Sequence, residues 1–105
     1  MESPNLSYID QLSGGDLEFK TKIINIIKSE FPLEKDEYYN NVRYNKLEKV
    51  AENVHKLKHK ISILGLEKSY TIAETYEEEI RNNDMSREQE FNGILDTITD
   101  YLNKI

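Results

Sequence analysis

The sequence predicts an all-α fold, an antiparallel up-and-down four-helix bundle with a short extra N-terminal helix. Two observations support this prediction. Apolar residues recur in steps of three and four in nearly every segment, which is the period of an α-helix. Glycine and proline are scarce, with four and two copies in 105 residues, and such a composition disfavours a turn-rich β fold. The length suits one domain over residues 1–105, large enough to bury a core.

The first two helices are separated by a break that contains two glycines. A short apolar-bearing stretch over residues 6–12 predicts the leading helix, and the glycine pair that follows ends it. Asp16 is placed to cap the second helix, whose apolar side chains recur at helical spacing. Pro32 should kink this helix rather than end it, because the helical pattern resumes beyond it.

The third helix carries the cleanest pattern in the chain. Asn45 and Glu48 have the spacing of a capping box, which predicts a helix start at Asn45. An unbroken apolar seam follows and ends at Gly65, with the members Leu47, Val50, Val54, Leu57, Ile61 and Leu64.

The fourth and fifth helices complete the predicted bundle. The fourth is expected over residues 66–82, and the turn that follows is Asn82-Asn83-Asp84. Ser86 and Gln89 form a second capping pair before the last apolar seam. Short polar turns between amphipathic helices are typical of an up-and-down bundle.

The net charge of −6 argues against nucleic acid as a partner, because an acidic protein repels phosphate backbones. The chain has no cysteine, no secretory signal and no apolar run long enough for a membrane span. We therefore expect a cytoplasmic protein without membrane contact, and the starting Met1 favours a free-standing one. Residues 55–60 are the exception in charge, with three lysines, two histidines and no acid, which predicts a local anionic target.

Both histidines of the chain are predicted to lie outside the apolar seam of the third helix. At 100° per residue, His55 lies roughly 130° and His59 roughly 170° from the centre of that seam. Positions three, four and seven apart share one stripe of a helix surface. The sequence therefore predicts that His55, Lys58, His59 and Ser62 form one exposed row.

The residues around His55 resemble a known family. The match is His55-Lys56-Leu57-Lys58 with Gly65 ten positions after the histidine, preceded by the sequence Gly-Asp-x-x-Phe at positions 15–19. This pattern resembles the histidine-containing phosphotransfer (HPt) domains of multistep two-component phosphorelays, and the resemblance covers most of the chain. One departure is His59, which stands where the family usually has glycine.

The resemblance implies that His55 is the phosphoacceptor, relaying a phosphoryl group between the aspartates of receiver domains, and that Lys58 offsets the phosphoryl charge. A neutral imidazole is a competent nucleophile near pH 7. The expected partners are response-regulator receiver domains and a hybrid histidine kinase. No metal ligand or intrinsic cofactor is expected, because the receiver domain would supply Mg²⁺. The chain lacks a nucleotide motif, so the resemblance implies a phosphocarrier and not an autonomous kinase.

The docking surface is expected around the phosphoacceptor. Its predicted members are Ala51, Glu52, Lys56, His59, Ser62 and Ile63. Ile63 has a second interpretation, because an apolar residue on this face could instead pack beneath the leading helix.

Two other functions fit the same residues. His55 and His59, one turn apart, could chelate zinc, and Glu52 with His55 matches the Glu-x-x-His motif of di-iron bundles, although such bundles need a second copy and inward ligands. The other alternative is a non-catalytic helical protein-interaction module. In that case Tyr38, Tyr39 and Tyr44 would be anchors rather than packed side chains.

Overall fold

The structure is a computed structural model that describes residues 2–105, and this part of the chain contains five helices and no strand. Their bounds are α1 Ser7–Ser13, α2 Leu17–Arg43, α3 Leu47–Ile63, α4 Glu67–Arg81 and α5 Glu88–Leu102. The all-helical prediction is confirmed. At 1.5 Å per residue, the 27 residues of α2 span about 40 Å, which accounts for most of the 44 Å long axis of the molecule.

Each of the four longer helices packs against two of the other three. α3 contacts α2 and α4, α5 contacts α4 and α2, and α1 lies against α2. The predicted seam of α3 points into this arrangement, because five of its six members are buried and Leu47 is partly buried. α3 therefore lies between α2 and α4, and the third side of the helix is left for solvent.

Aromatic side chains join α2, α4 and α5 in the core. The ring centroid of Phe91 lies 5.3 Å from that of Tyr38 and 5.1 Å from that of Tyr76. The two tyrosine hydroxyls lie 2.9 Å apart, and Tyr38 donates a hydrogen bond to Asn92 Oδ1 at 3.0 Å. Burial raises the pKa of Tyr76 to about 12. Tyr38 is therefore a packed residue and not a docking anchor, whereas Tyr44 is 62% exposed.

Two predicted helix caps are wrong. Asn45 has a left-handed backbone with φ +55°, so it belongs to the turn, and α3 begins at Leu47 without a side-chain cap. Ser86 donates its backbone N–H and its hydroxyl to Asp84, so it does not cap α5, which begins at Glu88. Both errors have one cause, because capping residues are equally suited to tight turns. The predicted cap at Asp16 is confirmed, since its side chain accepts a hydrogen bond from the backbone of Phe19.

Pro32 does not end α2, which continues to Arg43, in agreement with the prediction.

The N-terminus of α4 is capped by a residue near the start of the chain. The carboxylate of Glu2 accepts the backbone N–H of Lys68 at 2.7 Å and that of Ser69 at 2.9 Å. Negative charge is favourable at this end of a helix. The segment before α1 is thus fixed against the α3–α4 corner.

Gly65 is required at that corner for two reasons. Its φ is +76°, which residues with a side chain rarely adopt, and it lies against Asn5. A Cβ atom at Gly65 would lie 2.6 Å from Asn5 Nδ2. The glycine that ends the seam therefore also gives the N-terminal segment room to cross.

Candidate functional site

His55 projects from α3 on the side that faces solvent, as predicted. Its side chain is 51% exposed, whereas Val54 and Leu57, its neighbours on the seam side, are fully buried. The apolar seam determines this orientation, because packing Val54 and Leu57 inward turns position 55 outward. Within residues 2–105, the ring makes polar or aromatic contact with Glu77 of α4 and with His59.

Lys58 is buried, which contradicts its predicted place in an exposed row. Its side chain is only 11% exposed, and its ammonium lies 3.2 Å from Glu77 Oε1 and 5.6 Å from the ring centre of Tyr70. Its aliphatic stem packs between α3 and α4 while the ammonium finds an anion and an aromatic face. The ammonium thus already has a negative partner beside His55.

Glu77 is the centre of the site. Its Oε1 atom lies 3.2 Å from both His55 Nδ1 and Lys58 Nζ, and its Oε2 atom accepts a hydrogen bond from Arg81 at 3.2 Å. Burial raises the pKa of the Glu77 carboxyl, but hydrogen bonds from Arg81, Lys58 and His55 outweigh burial and hold the pKa below its usual value of 4.5. Glu77 is therefore a carboxylate at neutral pH, and it joins α3 to α4.

The contact with Glu77 decides which nitrogen of His55 is available for chemistry. A carboxylate can only accept, so the neutral imidazole that satisfies this contact carries its proton on Nδ1. The lone pair is then on Nε2. This tautomer is inferred from the hydrogen bond. The site therefore presents one nucleophilic nitrogen on a half-exposed ring whose other nitrogen is held by a largely buried acid.

His59 lies beside His55 on the same stripe. The two ring centroids are 5.0 Å apart, and the rings meet edge to face at 73°. His59 is exposed, as predicted. The two imidazoles are thus in direct contact, one turn of helix apart.

The other predicted docking residues divide into three groups. Glu52, Lys56 and Ser62 are exposed and surround the histidine pair. Ile63 is half-buried and packs against the core cluster that includes Ile9, in agreement with the interpretation that it is a packed residue. Ala51 has no exposed surface, so its predicted role as a partner contact is wrong. It lies on the edge of the buried seam, where its small side chain lets α3 pack closely against its neighbours.

Glu77, Arg81 and Tyr70 were missed in the sequence. Glu77 and Arg81 have the spacing of an ordinary surface ion pair on one helix, and Glu77 lies within a run of three glutamates. Nothing local distinguishes Glu77 from Glu78, which is exposed. Only the packing of α4 on α3 selects the member of the run that faces His55.

Among residues 2–105, no group of three or more histidine, aspartate or glutamate side chains is arranged to hold a metal ion, and no helix is long and apolar enough to cross a membrane. Comparison of the chain with protein-family models, with curated proteins and with solved structures found no match.

Proposed function

We propose that this protein is a histidine phosphotransfer protein, in which His55 receives a phosphoryl group from the aspartate of one receiver domain and passes it to another. One observation carries the proposal. His55 is half-exposed, and its Nδ1 atom is held by a carboxylate that is itself anchored to Lys58 and Arg81. The sequence pattern around His55 and Gly65, which resembles the HPt family, supports the same function.

The proposed scaffold is an antiparallel up-and-down bundle of α2, α3, α4 and α5. Only three residues connect α2 to α3, and three connect α3 to α4. Links of that length reach at most about 14 Å. The 17 residues of α3 are about 26 Å long, so parallel neighbours could not be joined in this way. The order of helix contacts, α2–α3–α4–α5–α2, supports this topology as well.

The transfer step needs few groups from this chain. The lone pair on His55 Nε2 attacks the phosphorus of the acyl phosphate, a bond from nitrogen to phosphorus forms, and the bond from phosphorus to the aspartate oxygen breaks. The electron pair of that bond leaves on the aspartate carboxylate. The His55 ring then carries a positive charge, since it keeps its Nδ1 proton while bonded to phosphorus. Glu77 offsets that charge and keeps the ring in the form that gives up the phosphoryl group readily.

Lys58 and Arg81 supply positive charge beside the phosphoryl group. Lys58 lies one turn from His55 on α3, and Arg81 lies one turn from Glu77 on α4. Both cations are engaged with Glu77, so only part of their charge is available. We expect their electrostatic contribution to be modest, about 1 kcal/mol or less for an exposed group such as Arg81.

The partner supplies the remaining groups. In this proposal the receiver domain brings the aspartate and Mg²⁺, and a hybrid histidine kinase is the source of the phosphoryl group. The partner would contact Glu52, Lys56, His59 and Ser62, which surround His55. The protein itself would need no cofactor and bind no nucleic acid, and its compartment would be the cytoplasm, where receiver domains act.

Incubation with a phosphorylated receiver domain tests the proposal. We expect the chain to acquire phosphate that is labile in acid and stable in alkali, as phosphohistidine is. His55→Ala should lose this label completely while retaining its thermal unfolding midpoint, because the side chain is half-exposed. Label that persists in His55→Ala would exclude His55 as the acceptor.

A non-catalytic interaction module is the second candidate. It is favoured by exposed apolar side chains near the α1–α2 corner, where Leu12 is 50% and Leu17 is 75% exposed. Exposed apolar residues in a group can mark a contact surface. Binding of a receiver domain without any transfer of label, for every receiver tested, would favour this alternative.

A further inference from the structure

His59 holds the position from which a side chain can reach a phosphoryl group on His55. The two rings are in edge-to-face contact with centroids 5.0 Å apart, and both residues are exposed. This distance is at the short end of the range for packed aromatic rings. A group bonded to the outer nitrogen of His55 therefore lies within reach of an N–H of His59 after rotation of its side chain.

The charges around His55 leave a role for such a group. Lys58 and Arg81 contribute two positive charges, and the ring of phosphorylated His55 adds a third. Three carboxylates offset these charges, because Glu74 and Glu78 line the same surface hollow as Glu77. A bound phosphoryl group carries close to two negative charges near neutral pH. These groups therefore sum to about zero and leave the charge of the phosphoryl group uncompensated, so any compensation must come from solvent or from the exposed side of α3.

We infer that His59 is a phosphoryl-contact residue, which donates a hydrogen bond to the phosphoryl oxygens on His55 and lengthens the life of the phosphorylated protein when it is protonated. The inference rests on the proposed function. Histidine is the side chain that changes its charge between pH 5 and 8, so the protection is expected to depend on pH within that range.

The other charged groups near the histidine pair are accounted for. On α4, Glu77 binds both His55 and Arg81, and Glu74 and Glu78 line the same surface hollow as Glu77. On α2, Glu30 and Glu34 both bind Lys60. On α3 itself, the remaining charges near the pair are Glu52, Lys56 and Lys58. All of these groups are present in every variant compared below.

Chemical phosphorylation separates this inference from the choice of partner. The full chain is labelled with phosphoramidate, a small phosphodonor that needs no receiver domain, and the decay of phosphohistidine is followed at pH 6, 7 and 8. The compared chains are the parent, His59→Ala and His59→Lys. The matched control is Lys49→Ala, which removes an exposed cation of α3 six residues before His55.

We expect the half-life of the phosphorylated His59→Ala variant to be about two- to fivefold shorter than that of the parent at pH 6, with the ratio approaching one at pH 8. His59→Lys should restore the half-life and remove the pH dependence of the ratio, because lysine stays protonated. Lys49→Ala should match the parent. Equal half-lives of parent and His59→Ala at all three pH values would overturn the inference, as would label that resides on His59 itself.

The two experiments distinguish failure of this inference from failure of the proposed function. If receiver domains transfer no phosphate but His59 still changes the decay of the chemically formed phosphohistidine, the proposed function is wrong and the contact is real. If receiver domains transfer phosphate and the decay does not depend on His59, the proposed function stands and this inference fails.

Discussion

Two lysines of α3, only two residues apart, have nearly the same exposure and different roles. The Lys58 side chain is 11% exposed and pairs with Glu77 of α4, whereas the Lys60 side chain is 12% exposed and pairs with Glu30 and Glu34 of α2. Two positions on an α-helix are separated by 200° around its axis, so the two side chains point toward different neighbouring helices. Only the carboxylate that binds Lys58 also contacts a histidine.

An interhelical ion pair therefore indicates a candidate site only when a third group, capable of chemistry, contacts it. The Lys60 pair joins α2 to α3 through carboxylates alone, those of Glu30 and Glu34. The Lys58 pair joins α3 to α4 and also fixes an imidazole. We therefore interpret the α2 side as structural and the α4 side as functional, and the following predictions test that division.

Glu77→Ala should have the largest effect. It leaves the buried ammonium of Lys58 without its anion and His55 without its Nδ1 acceptor, so we expect the free energy of unfolding to fall by about 1–3 kcal/mol. Phosphoryl acceptance from a receiver domain should slow by roughly tenfold or more, in the range that loss of a histidine-orienting partner typically costs. Urea unfolding and the initial rate of label uptake measure the two effects.

The matched control for Glu77→Ala is Glu34→Ala, which removes a largely buried acid from the Lys60 pair. This variant should lose stability without slowing phosphoryl acceptance. If the two variants slow transfer equally, the division between a functional and a structural side is lost.

Glu77→Gln separates hydrogen bonding from charge. The amide oxygen can still accept the Nδ1 proton of His55, but it cannot offset the positive ring of phosphohistidine. We expect a smaller loss of acceptance rate than in Glu77→Ala and a slower onward transfer to a second receiver domain. Onward transfer at the parent rate would show that the charge of Glu77 has no part in the release step.

Lys58→Met and Lys60→Met compare the two lysines directly. Methionine keeps the apolar stem and removes the charge. We expect Lys58→Met to lower the free energy of unfolding by about 1 kcal/mol or less, because Glu77 keeps its bond to Arg81. Lys60→Met should lower it by about 1–2 kcal/mol, because the largely buried Glu34 loses its hydrogen-bond partner. Only Lys58→Met should shorten the half-life of phosphohistidine, since Lys60 lies on the other side of the helix. A shorter half-life in Lys60→Met would contradict the assignment.

Glu77 and Lys60 should lose their own contributions to stability at opposite ends of the pH scale. The pKa of Glu77 is lowered in the folded protein, so its contribution is complete above about pH 4.5 and is lost as the pH falls through the folded pKa. For Lys60, burial lowers the pKa, but hydrogen bonds to Glu30 and Glu34 raise it above 10.5 overall. Its contribution is complete below that value and is lost as the pH rises through the folded pKa.

The measurement is the difference in unfolding free energy between the parent and each variant. The difference for Glu77→Gln should shrink below pH 4.5, and that for Lys60→Met should shrink above pH 10.5. The raised pKa of Tyr76 affects parent and variant equally and cancels in the difference. A difference for Glu77→Gln that stays constant down to pH 3 would show that the ion pair does not stabilise the fold.

Arg81→Ala should have the smallest effect. Its side chain is 51% exposed, and its bond to Glu77 joins two residues of one helix. Such pairs contribute about 0.3–0.5 kcal/mol, and salt screens them. We expect a change of stability near the limit of measurement at 0.15 M salt. A loss as large as that of Glu77→Ala would mean that Arg81, and not Lys58, anchors the carboxylate.

Much of the fold was predictable from local patterns. The apolar seam of α3 gave the orientation of His55 and His59 correctly, because burial of a continuous seam fixes the rotation of a helix. The seam did not predict the burial of Lys58. A lysine at the edge of a seam can extend its stem along either side, and the position of Glu77 decides which side it takes.

The ends of the helices were less predictable than their faces. Asn45 and Ser86 were assigned to caps and lie in turns, because the same short polar side chains stabilise both. The actual cap of α4 comes from Glu2, more than sixty residues away. No spacing rule within a window of a few residues can detect such a cap.

The sequence alone determined that the chain is helical, which face of α3 is wet, and that its histidines lie on that face, since these features follow from periodicity within one helix. Tertiary structure decided that Glu77 meets His55 and Lys58 and that Ala51 is covered. These features depend on how α4 and the other helices lie against α3, and a pattern of residues within one helix does not record which face of another helix it will meet.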